Sequence, residues 1–225
     1  MQGLDFEGVP DETTILKFRH LLEKHELSKA LFDEMTAVLT ERGLLLRQGT
    51  IVDATLIAAP PSTKNRTKSS DPEIKQTRKG NQWYFGMKAH IGADAASGCV
   101  HSAEMTSANV HDSVATDALL YGEEEIAFGD SAYASNERSL EADRTEADVV
   151  WATPFKRKKG QALTDEQRRI NRLTSSFRSK VEHVRVVKRQ FGYTRTRYRG
   201  LYKNNQQIFC QLTLANIYIM REQLA

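Results

Sequence analysis

The sequence predicts an α/β fold, a mixed β-sheet flanked by helices and preceded by a helical segment. Three observations predict it. Apolar residues recur at helical spacing over 11–41 and again from 164 to about 190. Between these stretches lie short β-rich runs, one apolar on both faces and two arranged as a hairpin. The hairpin requires antiparallel pairing and the intervening helices require crossovers, so the sheet holds both kinds of pair.

Asp11-Glu-Thr-Thr offers a capped start, followed by Ile15, Phe18, Leu21, Leu22 and then Leu27, Leu31, Phe32, Met35 and Leu39. A break at 25–28 divides this stretch into two helices. Thr50-Ile-Val-Asp-Ala-Thr-Leu-Ile reads as a central strand with Asp53 in its middle. Residues 60–82 form a polar loop carrying Lys64, Arg66, Lys68, Lys75, Arg78 and Lys79 against Asp71 and Glu73. Trp83 to Ile91 alternates with period two, residues 94–98 turn, and Cys99 to Thr106 returns. Asn109 is expected to cap a helix reaching Leu120. A short strand, 125–129, ends at Asp130, a short helix spans 135–142, and 148–154 is the last strand. Thr164-Asp-Glu-Gln is a capping box for a long helix. Its expected apolar stripe is Ile170, Leu173, Phe177, Val181, Val184, Val187 and Phe191. A final helix runs from Asn205 to about Gln223.

At 40% apolar and 27% charged, the 225 residues have the composition of a folded globular chain. No apolar run approaches the ~18 residues of a membrane span, and no secretory signal opens the chain. Two cysteines, Cys99 and Cys210, make neither a metal cluster nor a disulfide framework, which fits a cytoplasmic setting. The net charge of +3 hides an asymmetry. Residues 156–203 hold 16 Lys and Arg against 3 Asp and Glu, interleaved with Phe191, Tyr193, Tyr198 and Tyr202. Such a segment suits nucleic-acid contact better than mere solubility. The candidate phosphate contacts are Lys156, Arg157, Lys158, Lys159, Arg178, Arg185, Lys188 and Arg189.

Three acids stand out. Asp53 lies inside an apolar strand, where an unpaired charge costs several kcal/mol unless a cation answers it. Asp130 follows Gly129 at the end of another strand, where a ligand can approach closely. Glu182 lies one helical turn from Arg178, at the edge of the apolar stripe. Three oxygen ligands without Cys or His suit Mg²⁺ or Mn²⁺. On the residues alone, a salt-bridge role for each acid remains open. Asp112 is read as a helix-start hydrogen-bond acceptor, Trp83 and Trp151 as core groups, and His90 and His111 not as ligands.

Five ordered words carry a resemblance. They are Thr50-Ile-Val-Asp-Ala-Thr-Leu-Ile-Ala-Ala-Pro, Gly80-Asn-Gln-Trp-Tyr-Phe-Gly-Met-Lys-Ala-His-Ile-Gly, Ala108-Asn-Val-His-Asp, Phe128-Gly-Asp-Ser-Ala-Tyr, and Val181-Glu-His-Val with Lys188-Arg-Gln-Phe-Gly-Tyr. Together they resemble bacterial insertion-sequence transposases of the DDE type, IS-five group. The resemblance implies an RNase H-like fold with Asp53, Asp130 and Glu182 as catalytic triad and metal ligands. It implies Mg²⁺ (or Mn²⁺) as cofactor, and transposon ends and target DNA as partners, with a second copy of the chain as a candidate partner. It also divides the chain into 1–47, the remnant of a helical DNA-binding segment, and 48–225, the catalytic domain. On this reading the chain is N-terminally truncated and impaired. The alternative is an inactive remnant that still binds DNA.

Two positions depart from the family pattern. Ser175 stands where a Tyr precedes the Arg-x3-Glu motif of Arg178 and Glu182. One residue is missing after Val184, so Lys188 falls at i+6 from Glu182 and Arg189 takes the i+7 position, where it is expected to replace the Lys. The helix must re-register or tighten locally to absorb the gap.

Overall fold

Gly49–Ala58, rich in β-branched and apolar residues, forms the central strand β1 of a six-stranded mixed sheet. The computed structural model describes residues 10–61, 69–130, 149–157, 160–179 and 186–224. The strands that follow are β2 (Lys75–Lys79), β3 (Gln82–Asp94), β4 (Val100–Ser107), β5 (Ile126–Phe128) and β6 (Val150–Ala152). The sheet runs β2-β3-β1-β5-β6, with β4 also on β3. The 13-residue β3 is long enough for two neighbours on one side: β2 pairs with 82–86 and β4 with 87–93. β1 is antiparallel to β3 and parallel to β5, which is parallel to β6. The mixed sheet expected from the hairpin and crossovers is present, and its order is that of an RNase H-like domain.

Among the described residues, five α-helices accompany the sheet: α1 (Glu12–Lys24), α2 (Leu27–Glu41), α3 (Asp165–Arg178), α4 (Leu201–Ile219) and α5 (Arg221–Leu224). The break between α1 and α2 lies where the sequence places it. On the face of β1 that carries Ile51, Asp53 and Ile57, the main core joins Ile57, Met87, Ala89 and Ile91 to Phe32 of α2 and Ile208, Phe209 and Leu212 of α4. Ile51 and Phe128 form a smaller cluster beneath Phe177 of α3. The opposite face buries Val52 with Ala115 and Leu119.

Two buried asparagines anchor α4. Asn216 accepts from the Val100 amide at 3.0 Å and donates to the Val100 carbonyl at 2.8 Å, supplying the side of β4 that has no neighbouring strand. Asn204 accepts from the Tyr193 hydroxyl at 3.0 Å and donates to the carbonyls of Tyr198 and Gly200. Asp71 and Glu73 accept from the amides of Gly200 and Leu201, so acids face the positive start of α4.

Several elements differ from expectation. β2 lies within the segment expected to be loop. Two 3₁₀ turns, Asp112–Ala115 and Asp117–Leu119, replace the helix expected after Asn109, and His111 rather than Asn109 caps the first. Asp112 pairs with Lys88 at 2.8 Å instead of accepting a helix-start bond. The Thr164–Gln167 capping box is formed, but Leu173 of the expected stripe is 53% exposed and Thr174 is buried in its place. α4 starts at Leu201, four residues before Asn205, and Leu214 and Ile217 face outward. The expected helix at 135–142, together with Val181 and Val184, lies outside the described residues.

Candidate active site

Asp53 and Asp130 are brought together by strand register. In the parallel pair, Gly49, Thr50 and Ile51 face Ile126, Ala127 and Phe128. Asp53 on β1 and Asp130, just past the end of β5, each lie two residues beyond the last pair. Both are half-buried. Burial raises the Asp53 carboxyl above its ordinary range, and the Asp130 charge pushes it the same way, while Arg178 pulls it back.

α3 delivers Arg178 to this point. Phe177 stacks on Phe128 with ring centroids 4.6 Å apart, seating the end of α3 against β5. The next residue, Arg178, places Nη2 3.7 Å from Asp53 Oδ1, an ion pair longer than a hydrogen bond. Its Nε is buried and has no hydrogen-bond partner among the described residues.

Beyond α3, Val186–Gln190 forms a single π turn, closed by the Phe191 amide on the Val186 carbonyl at 3.0 Å. This turn is wider than an α-helix, and the position of the missing residue, after Val184, lies outside the described residues. It directs Lys188 inward, where Nζ donates to the Leu56 carbonyl at 2.8 Å. Burial lowers the Lys188 pKa, the Lys79 charge lowers it further, and Asp53 raises it. Arg189, expected to take over from Lys188, is exposed on this turn. Lys188 itself reaches β1, because the π turn and not ideal helix geometry sets its direction.

Lys156 and Arg157 are exposed. Glu182, Lys158, Lys159 and Arg185 lie outside the described residues. Among the described residues no three His, Cys, Asp or Glu side chains gather into a metal-holding group. His90 is fully buried on the opposite face, bonded to Thr106 Oγ1 at 2.8 Å, and burial lowers its pKa to about 4. His111 bonds its own turn through Ser113.

Sequence reasoning missed Lys79. It ends β2, and its ammonium acts on both Asp53 and Lys188. Its signal was the Gly80-Asn81 turn followed by an alternating strand, the mark of a hairpin.

The mixed sheet, with its parallel and antiparallel pairs and flanking helices, defines an RNase H-like domain. The particular family follows from comparison. The transposase DDE domain family matches residues 45–217, most of the chain, and the chain belongs to it. Its members are enzymes of DNA transposition and recombination that use divalent metal, typically Mg²⁺. No solved structure matches the chain. Among the described residues no helix is long and apolar enough to cross a membrane.

Proposed function

We propose that this chain is the catalytic core of an insertion-sequence transposase that cleaves DNA at transposon ends and joins the freed 3′-hydroxyl to target DNA. Asp53, Asp130 and Glu182 would hold Mg²⁺ or Mn²⁺. The observation that carries the reading is the parallel ladder of β1 and β5, whose last pair, Ile51–Phe128, comes two residues before Asp53 and two before Asp130, together with the Asp130 charge acting on Asp53. The donor set suits a hard divalent ion: two half-buried carboxylates, of which Asp53 is held above its ordinary range chiefly by burial. Such an ion supplies Lewis acidity and activates an attacking oxygen. The chain's own contribution is placement. Arg178 and Lys188 stand at the acids to receive phosphate oxygens, and Lys156, Lys158, Lys159, Arg157, Arg185 and Arg189 would extend that contact along the backbone. Assignment to the IS-five group rests on the five sequence words.

The test is a cleavage and strand-transfer assay in Mg²⁺ and in Mn²⁺. It compares the chain with Asp53→Asn, Asp130→Asn and Glu182→Gln on DNA carrying the element's own terminal repeats. Metal-dependent cleavage, lost by at least about 100-fold in each variant, is expected for ligands of one centre. DNA binding with no cleavage in either metal would overturn the reading in favour of an inactive DNA-binding remnant. Cleavage that survives either Asp variant would remove that residue from the centre.

A further inference from the structure

Trp83 stands apart from every other large aromatic of the sheet. By the alternation of β3 it shares a face with Phe85, Met87, Ala89 and Ile91, which run into the main core. Its parity is that of a core residue, but its position is not. β3 outruns the helices that cover that face, and Trp83 is 63% exposed where Met87 is fully buried. The expectation that Trp83 is a core group is therefore corrected. Trp151, in contrast, packs partly buried against the cluster of Val52 and Leu119.

The surroundings of Trp83 are built and basic. β2 and β3 form a hairpin in which Trp83 faces Arg78 and Gln82 faces Lys79. A two-residue turn, Gly80-Asn81, closes it, with Gly80 at φ +62° as such a turn demands. Arg78 locks the tip: Nε donates to the Gly80 carbonyl at 3.0 Å and Nη2 to Asn81 Oδ1 at 3.2 Å. From residue 75 to 92 the chain carries Lys75, Arg78, Lys79 and Lys88 and no acid. An indole left in water on a rigid, wholly cationic ribbon is suited to a polyanion with exposed π-faces.

We propose that Trp83 is a stacking platform for an unpaired base of the DNA substrate, carried on the β2–β3 hairpin while the hairpin's cations hold the adjoining phosphates. The proposal rests on the transposase reading and deepens it. Base–aromatic stacking is sequence-tolerant and strong enough to hold a frayed strand end. Trp83 also shares a face of the sheet with Asp53, because Asp53 pairs with Ile91, which has the parity of Trp83 on β3.

Only two tryptophans occur, so Trp151→Phe leaves Trp83 as the sole indole reporter. Its emission and the Kd are followed on three probes. These are a duplex with a single-stranded thymidine overhang, the same duplex blunt, and the overhang made abasic. Emission should be quenched by the thymidine overhang alone. Trp83→Ala should weaken overhang binding about 5- to 100-fold and change blunt-duplex binding less than twofold. Trp83→Phe, which keeps a ring, should retain most of the overhang affinity. Equal effects of Trp83→Ala on overhang and blunt DNA would overturn the proposal. So would equal affinity for the abasic and thymidine overhangs, or a concentration-dependent emission change without DNA, the mark of a second copy covering Trp83. These failures leave metal-dependent cleavage untouched, whereas failure of the transposase reading appears in the aspartate variants.

Discussion

Asn204→Ala tests how the basic loop beside β1 is held. Asn204 is fully buried near the start of α4. It accepts from the Tyr193 hydroxyl at 3.0 Å and the Tyr198 amide at 3.4 Å, and donates to the carbonyls of Tyr198 at 2.8 Å and Gly200 at 2.7 Å. This one amide therefore fixes the chain from 193 to 200, where Arg195, Arg197 and Arg199 are exposed and Arg195 lies against the end of β1 at Ala58. Alanine removes all four bonds and strands the Tyr193 hydroxyl in a fully buried site. Three short bonds at about 1 kcal/mol each, plus part of the cost of the stranded hydroxyl, give a loss of about 3–4 kcal/mol. That is a large share of the ~5–15 kcal/mol that holds an ordinary domain folded. The assay is urea unfolding of the chain, of Asn204→Ala, of Tyr193→Phe and of the double variant. The cycle should return a coupling of about 1 kcal/mol between the two side chains. A total loss below about 1 kcal/mol, or no coupling, would refute the view that Asn204 organises the loop.

Two further outcomes follow from buried polar groups. Asn216→Leu leaves the Val100 amide and carbonyl without their α4 partner, and should cost about 2–4 kcal/mol in urea unfolding. A near-neutral result would show that water reaches β4. Asp53→Asn addresses pH. Because burial raises the Asp53 pKa in the fold, the folded state holds that proton more tightly than the unfolded chain. The Asp53 contribution to stability is then full below the unfolded value of 3.8 and lost as pH rises through the folded one. In metal-free buffer Asp53→Asn should melt above the parent at pH 6–7, and the gap should close toward pH 3. A gap that widens on acidification would contradict the sign.

Asp53 and Asp130 stand out in the sequence because each breaks a local rule. Asp53 is a charge in a β-rich run, and Asp130 follows a Gly at a strand end. Their parallel register was not legible, since nothing local states which strands pair. β2 escaped notice because Lys75-Gln-Thr-Arg-Lys is polar on both faces, as an exposed edge strand is, and so lacks period-two hydrophobicity. The exchange of Leu173 for Thr174 on the buried side of α3 reflects how the helix sits on the sheet beneath it. Trp83 shows the limit most plainly. Alternation gives the face of a strand residue but not whether a helix lies over it. Lys188 and Arg189 were separated by a π turn that ideal helix geometry does not contain.

The pairing of Ile51 with Phe128 bears on how such a chain can change over evolutionary time. Asp53 and Asp130 each follow three consecutive ladder pairs by two residues, Asp53 within β1 and Asp130 just past the end of β5. That placement does not depend on how many residues lie between the strands. Chain added between Ser69 and Ile74, outside the paired residues of the sheet, carries a cost that grows only logarithmically with length. Such growth can bring new DNA contacts without moving either carboxylate. A single residue added or lost between Ile51 and Asp53, or between Phe128 and Asp130, reverses the face of one acid and separates the pair. The domain is thus permissive to insertion over most of its surface and intolerant of it within two dipeptides.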